Sequence, residues 1–206
     1  KAARAALQQA DVLPREVTHL ILTTCTGFFA PGPDVLLVRA LELSPKVERL
    51  QIGFMGCYAG FNGMRQAKHI VQANPDAVVL QVCLELCSLH YQKDASLDSI
   101  VANCLFADGC AAAVWSGPKQ EHPGLAKLTA SACAVDDESL DAMQWHIGDH
   151  GFRMGLRPEV PKTIERELPA FVDELLTENT MDRGDIGFWA VHPGGRAILD
   201  AAESAL

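Results

Sequence analysis

Apolar and β-branched residues gather in short continuous runs, and segments with helical spacing separate them. Val17-Thr18-His19-Leu20-Ile21-Leu22-Thr23-Thr24 predicts a strand buried on both faces, and so does Ala77-Val78-Val79-Leu80-Gln81-Val82-Cys83. Arg49 to Phe54 predicts a shorter strand, and the Gly-interrupted stretch 105–115 ends in another. Leu125 to Val135 and Ile186-Gly187-Phe188-Trp189-Ala190-Val191-His192 have the same composition. They predict two further strands, the second buried and ending at His192. Helices are predicted for residues 1–10, from Asp34 (apolar positions 35, 36, 38, 41 and 43), over 58–73, over Pro161–Asn179 and from about Arg196, with a short helix or turn from Ser96 to Asn103. Asp11–Pro14 is a turn, Gly27–Pro33 a Gly/Pro loop, and Asn74-Pro75 a helix stop. Asp136–Asp149 reads as polar and irregular, and 116–124 as a connector marked by Gly117-Pro118 and Pro123-Gly124.

Strands alternating with helices define an α/β class with mostly parallel pairing. Thr18–Thr24 and Ile186–His192 are each preceded by a helix and an acidic turn and followed by a helix, which suggests a distant duplication. The chain opens in mid-helix without Met and stops in an uncapped helix, so it is expected to be an internal part of a longer protein.

Composition narrows the function classes. In 206 residues, hydrophobic types make up 49% and charged types 21%, an ordinary globular balance. A net charge of −9 disfavours a general nucleic-acid or anionic-membrane surface. No apolar run approaches transmembrane length, and residues 1–7 lack the pattern of a signal peptide. The seven Cys are odd in number and sit mostly in strand-like runs, which favours a reducing, cytoplasmic setting over a disulfide framework. Cys83 and Cys87 are four apart with no second pair facing them, so no metal is expected.

Cys57 carries the candidate chemistry. It lies in Gly53-Phe54-Met55-Gly56-Cys57-Tyr58-Ala59-Gly60-Phe61, where a strand run gives way to a helix run. Unpaired N–H groups at a helix start favour thiolate, and small neighbours let a second molecule approach. A Cys in an apolar segment also reads as a small core residue. A nucleophilic Cys needs a basic or ion-pair partner. His192 is the best placed of the seven His, since it ends a strand run in Val191-His192-Pro193-Gly194-Gly195. His69, His122 and His150 read as exposed, His19 as packed, and His90 and His146 as structural or pocket-lining.

These two segments together resemble the type III polyketide synthases, the chalcone and stilbene synthase family. The likeness also runs through Thr18-His19-Leu20-Ile21, Gly27, Pro31-Gly32, Cys83-Leu84-Glu85, Leu105-Phe106-Ala107-Asp108-Gly109 and Gly151-Phe152, and ends in His192-Pro193-Gly194-Gly195 before Ala197-Ile198-Leu199-Asp200. Ketoacyl synthases of the fatty-acid type usually show His-Gln-Ala-Asn where this chain has His-Pro-Gly-Gly. The resemblance implies a thiolase-like, layered αβαβα fold with mixed, mostly parallel sheets, incomplete at both ends. Residues 1–117 would be the end of the half that carries Cys57, and 118–206 the first part of the half that carries His192.

It further implies an acyltransferase without a bound cofactor, whose substrates are coenzyme A thioesters. A starter acyl-CoA loads Cys57, and decarboxylated malonyl-CoA extends the chain. His192 pairs with the thiolate and donates to the thioester or enolate oxygen, and Phe106 stands where the substrate tunnel meets the cavity. The family is homodimeric. Its triad ends in an Asn beyond the His, and none of Asn62, Asn74, Asn103 and Asn179 matches it. This length alone is therefore expected to be inactive. Cys25, Cys87 and His90 stand at plant Thr positions, Met154 replaces a second gating Phe, and Trp145 lies near the cavity. Those departures argue against chalcone synthase proper, and the Met143-Gln144-Trp145 neighbourhood with Gly148-Asp149 resembles non-plant members. A fatty-acid-type 3-ketoacyl synthase and an inactive thiolase-like scaffold are the alternatives.

Overall fold

β1 (His19–Thr23) is a central strand because nearly every residue in it is apolar or β-branched and none needs solvent. The computed structural model describes residues 1–117 and 124–206. β2 (Glu48–Ile52) and β3 (Val78–Glu85) flank β1, both parallel to it, and β4 (Gly109–Ser116) pairs antiparallel with β3. The sheet order is β2-β1-β3-β4, mixed and mostly parallel, as the alternation of elements predicts.

Alternation along the inner strands divides their side chains between two faces. Leu20, Leu22, Leu80 and Val82 face one way and pack with Ala3 and Leu7 of α1 (Ala2–Gln9) and with Leu41 of α2 (Pro33–Leu41). Ile21 and Val79 face the other way, against Ala67, Ile70 and Val71 of α3 (Ala59–Ala73). Leu20, Leu22 and Leu80 are fully buried, each contributing about 1.5–3 kcal/mol by leaving water. Pro33 opens α2 at a position where no N–H is needed, and Asp34 in its first turn pairs with Arg49 of β2 at 2.5 Å.

By its internal contacts the chain forms two compact units. One comprises residues 1–91 and 106–127 and holds the sheet above. The other comprises 92–105 and 128–206. It contains α4 (Leu97–Leu105), a hairpin of β5 (Met143–Gly148) and β6 (Gly151–Leu156), α5 (Val160–Glu178) and α6 (Arg196–Ala205). Gln92 donates to the Phe152 carbonyl at 3.0 Å, tying the start of this unit to β6. Arg183 donates to both Asp173 oxygens at 2.6 and 3.0 Å, and to the carbonyls of Pro169 and Ala205, so one guanidinium joins the middle of α5 to the end of α6. Among the described residues no helix is long and apolar enough to cross a membrane.

Three expectations are corrected. Residues 125–135 and 186–192 form no strand; Leu125, Val135 and Phe188 are 104%, 82% and 83% exposed. A strand needs a neighbour to complete its ladder, and neither segment has one among the described residues. The suggested duplication therefore stops at composition. Conversely, the irregular reading of 136–149 gives way to β5. Met143, Trp145 and Ile147 oppose Leu156, Met154 and Phe152, giving the hairpin one apolar face. Gly151, at φ +126°, closes the two-residue turn. The expected connector at 116–124 falls mostly on residues 118–123, outside the described residues.

Candidate active site

Cys57 stands in a tight turn between β2 and α3. Phe54 and Gly56 adopt positive φ (55° and 67°), and the Ala59 N–H closes the turn on the Gly56 carbonyl at 3.0 Å. α3 begins two residues after the thiol, so Cys57 precedes the helix rather than opening it. The residue is exposed, with Ala59 fully buried beneath the turn. Tyr58 is fixed beside it by Arg65, whose Nη2 donates to the phenol oxygen at 2.5 Å.

The surroundings do not make an isolated low-pKa thiol. Protein atoms packed about the sulfur push the Cys57 pKa up by desolvation, and Cys25 and Glu85 add to the rise. The thiolate preference expected of a helix start is thus outweighed within this unit. Burial likewise raises the Cys25 and Cys87 pKa values, with Glu85 the next contributor in both.

Glu85 is the residue that sequence reasoning left without a role. It ends β3 and receives the Cys25 N–H at 2.9 and 3.2 Å and the Thr26 hydroxyl at 2.5 Å. Thr26 in turn accepts the Leu86 N–H at 2.6 Å, and its carbonyl lies 2.7 Å from His90 Nε2. Cys25 Sγ donates to the Gly56 carbonyl at 3.8 Å, directly before Cys57. The loop after β1 and the end of β3 are thereby stitched together under the nucleophile turn. The sequence signal was available: Glu85 is a charge closing an otherwise apolar strand.

The structure thus gathers Cys25, Cys57, Cys87 and His90 about Glu85 in one unit. Phe106 is half-buried in the same unit, between α4 and β4. Asp108, just after it, accepts from the N–H and hydroxyl of Ser88 at 2.8 and 2.7 Å, which holds its carboxyl below the ordinary carboxylate value. The other candidates lie in the second unit. Trp145 and Met154 are direct cross-strand partners in the β5–β6 hairpin, and Trp145 packs edge-on against Phe152 with centroids 5.4 Å apart. His192 is exposed in an irregular segment rather than ending a buried strand. Its carbonyl accepts the Gly194 N–H at 2.9 Å, and Gly195 at φ +126° leads into α6.

A mostly parallel sheet packed on both faces, with an exposed cysteine on the turn ahead of a packed helix, is an α/β scaffold that presents a thiol at the end of its strands. The chain belongs to the chalcone and stilbene synthase family: residues 1–118 match its N-terminal domain and residues 127–206 its C-terminal domain. An alpha-pyrone synthesis polyketide synthase-like protein of Mycobacterium tuberculosis is 34% identical over 93% of this chain and 49% of its own length. A 3,5-dihydroxyphenylacetyl-CoA synthase of Streptomyces toyocaensis is 33% identical over 98% of this chain and 53% of its own length. Among solved structures, the 1,3,6,8-tetrahydroxynaphthalene synthase of Streptomyces coelicolor A3(2), a bacterial type III polyketide synthase, superposes with a TM-score of 0.89 at 32% identity. That match covers 98% of this chain and 57% of the other. A brown-algal enzyme from Ectocarpus siliculosus gives 0.88 at 35% identity over 99% and 54%. The thiolase-like fold is therefore this chain's fold, and the chain spans about half the length of the relatives it matches. Neither a fatty-acid-type ketoacyl synthase nor an inactive scaffold is favoured by these matches.

Proposed function

We propose that the protein containing this chain is a type III polyketide synthase that carries its growing acyl chain on Cys57. The accessible Cys57 thiol, held on a strained turn between β2 and α3, is the observation that carries the reading. The Cys57 thiolate attacks the carbonyl of a starter acyl-CoA and expels coenzyme A thiolate, leaving an acyl thioester. Malonyl-CoA then loses carbon dioxide. The resulting enolate attacks that thioester, forms the carbon–carbon bond and releases Cys57.

His192 is assigned as ion-pair partner of the thiolate and hydrogen-bond donor to the developing oxyanion. Phe106 is assigned to the apolar wall where a malonyl carboxylate loses its charge, because an unpaired anion is costly beside an aromatic ring. Cys25, Cys87, His90, Trp145 and Met154 are assigned to the cavity that shapes the product. The relatives' names describe an alpha-pyrone, a CoA thioester and a naphthalene product, so the family likeness supports the condensing step and leaves the starter and cyclisation to those cavity residues. A cytoplasmic homodimer using substrate CoA thioesters and no bound cofactor completes the proposal.

The test is a starter screen with malonyl-CoA on the full-length protein, read by intact mass and product mass. Wild type is expected to gain one acyl group on Cys57, and Cys57→Ala none. A covalent acyl adduct that persists in Cys57→Ala overturns the assignment.

A further inference from the structure

Gln81 interrupts the most apolar strand of the chain, Val78-Val79-Leu80-Gln81-Val82-Cys83, and it is only 4% exposed. A buried amide without partners costs about 1–3 kcal/mol, so its bonds deserve a full account. Its Oε1 accepts the Trp115 indole N–H at 2.9 Å, and its Nε2 donates to the Gly60 carbonyl at 2.9 Å and to Cys83 Sγ at 3.8 Å. An indole N–H only donates and a carbonyl only accepts, so Trp115 and Gly60 fix which way the amide faces. Gly60 belongs to the first turn of α3, three residues beyond Cys57. The helix packs close to the strand here because Gly63 has no side chain; a Cβ on it would lie 2.5 Å from Gln81 Nε2.

We infer that Gln81, oriented by Trp115, is a positioning residue: it pins the first turn of α3 to the sheet and so sets where the Cys57 sulfur stands. The inference rests on Cys57 being the nucleophile, as proposed above. Without the pin, Gly60 keeps its bond within the helix, so the fold persists while the helix start rides free of β3. A displacement of about 1 Å at a reacting group can cost roughly 100-fold in rate. Gln81 is buried and bonds to Gly60, Cys83 and Trp115 rather than to Cys57, so its effect is expected on the acyl-transfer step and not on substrate affinity.

The experiment uses the full-length protein, with acetyl-CoA as loading probe and covalent acylation of Cys57 followed by mass. Gln81→Leu is expected to lower the maximal loading rate by about 10-fold or more with the half-saturating acetyl-CoA concentration changed less than about twofold. Iodoacetamide should at the same time label Cys57 at least as fast as in wild type, while buried Cys25 stays protected. Trp115→Phe, which deletes only the indole donor, is expected to give a smaller loss in the same direction and covers the case in which Gln81→Leu does not fold. Gln81→Glu should load close to wild type at about pH 6, where a buried carboxyl is protonated and can still donate to Gly60, and should fall behind as pH rises. A folded Gln81→Leu or Trp115→Phe that loads at the wild-type rate overturns the inference. So does a loss that merely tracks the unfolded fraction, reported by exposure of Cys25. An acyl adduct in Cys57→Ala instead overturns the nucleophile assignment, and the two failures are read from different variants.

Discussion

Gly63→Ala tests how tightly α3 is seated on the sheet. In an open helix the change would stabilise by about 1 kcal/mol, because Ala is the better helix former. Here the new methyl would lie 2.5 Å from Gln81 Nε2, 3.1 Å from its Cδ and 3.3 Å from Thr23 Oγ1. Moving the end of a free glutamine would cost little, but this amide is bonded at both ends to Gly60 and Trp115. If the amide stays, overpacking costs about 1–3 kcal/mol; if it leaves, the buried Gln81 amide and the half-buried Trp115 indole N–H lose each other, at about 1–3 kcal/mol each. After the propensity gain of about 1 kcal/mol, the cheaper route sets the net expectation at a loss of about 0–2 kcal/mol. Urea unfolding of the full-length variant, monitored by tryptophan fluorescence, measures it. The decisive comparison is the cycle with Gln81→Ala. On that background the obstructing amide is gone, so Gly63→Ala should become neutral or stabilising. Strict additivity of the two substitutions, or a single Gly63→Ala variant more stable than wild type, would refute the steric and hydrogen-bond argument together.

Three further outcomes are expected. If the proposed pairing of His192 with the thiolate holds, His192→Ala should raise the pH midpoint of Cys57 alkylation by iodoacetamide in the full-length protein, since burial, Cys25 and Glu85 all push the thiol upward; an unchanged midpoint counts against the pairing. Stability should fall on the alkaline side of the free-thiol pKa, about 8.5. Cys25, Cys57, Cys83 and Cys87 all have raised folded-state pKa values, so their contribution is complete below the unfolded value and is lost as pH climbs through the folded ones. Cys25→Ala should flatten that alkaline slope, and an identical slope would contradict it. Arg183→Met should speed amide exchange in α6, since it releases Asp173 and the carbonyls of Pro169 and Ala205 at once. Asp173 is held below its ordinary value by Arg183, so in wild type this grip is present above the unfolded carboxylate pKa and lost as pH falls through the folded one. Wild-type exchange rates in the variant would show that the clamp does nothing.

The parts of the fold that the sequence made legible are those whose partners lie close in the chain or whose faces are all buried. β2 and β3 each pair with β1 inside residues 19–85, and the inner two, β1 and β3, needed no polar face to disguise them. Leu125–Val135 and Ile186–His192 have equally good strand composition, yet composition says nothing about whether a neighbour completes the ladder. β5 was hidden for another reason. Met143-Gln144-Trp145-His146-Ile147 alternates apolar and polar residues, but it sits among so many charges that average polarity outweighed its period of two.

The candidate site could be named from its chemistry and not from its support. A thiol among small residues and a His beside Pro-Gly-Gly can be recognised without coordinates, because reactive groups are few. Gln81 and Glu85 were passed over because one polar residue in an apolar run looks like an imperfection, and their partners are distant: Trp115 is 34 residues from Gln81, and Cys25 is 60 from Glu85. Their bonds bear on the proposed mechanism. Reasoning from the helix start alone makes Cys57 a thiolate by its own position. In the folded unit the thiol comes before α3, and desolvation, Cys25 and Glu85 all favour its protonated form. A nucleophile placed this way is not self-sufficient: at neutral pH it is thiolate only when a cation or donor meets the sulfur. Under the ion pair proposed above, the carboxylate that orders the surrounding loops raises the demand on His192, and the two effects can be separated. Glu85→Gln keeps an acceptor for the Cys25 N–H and removes the charge, so it should lower the Cys57 alkylation midpoint and soften the effect of His192→Ala. If Glu85→Gln leaves that midpoint where it was, the carboxylate is only a fastener for the loops.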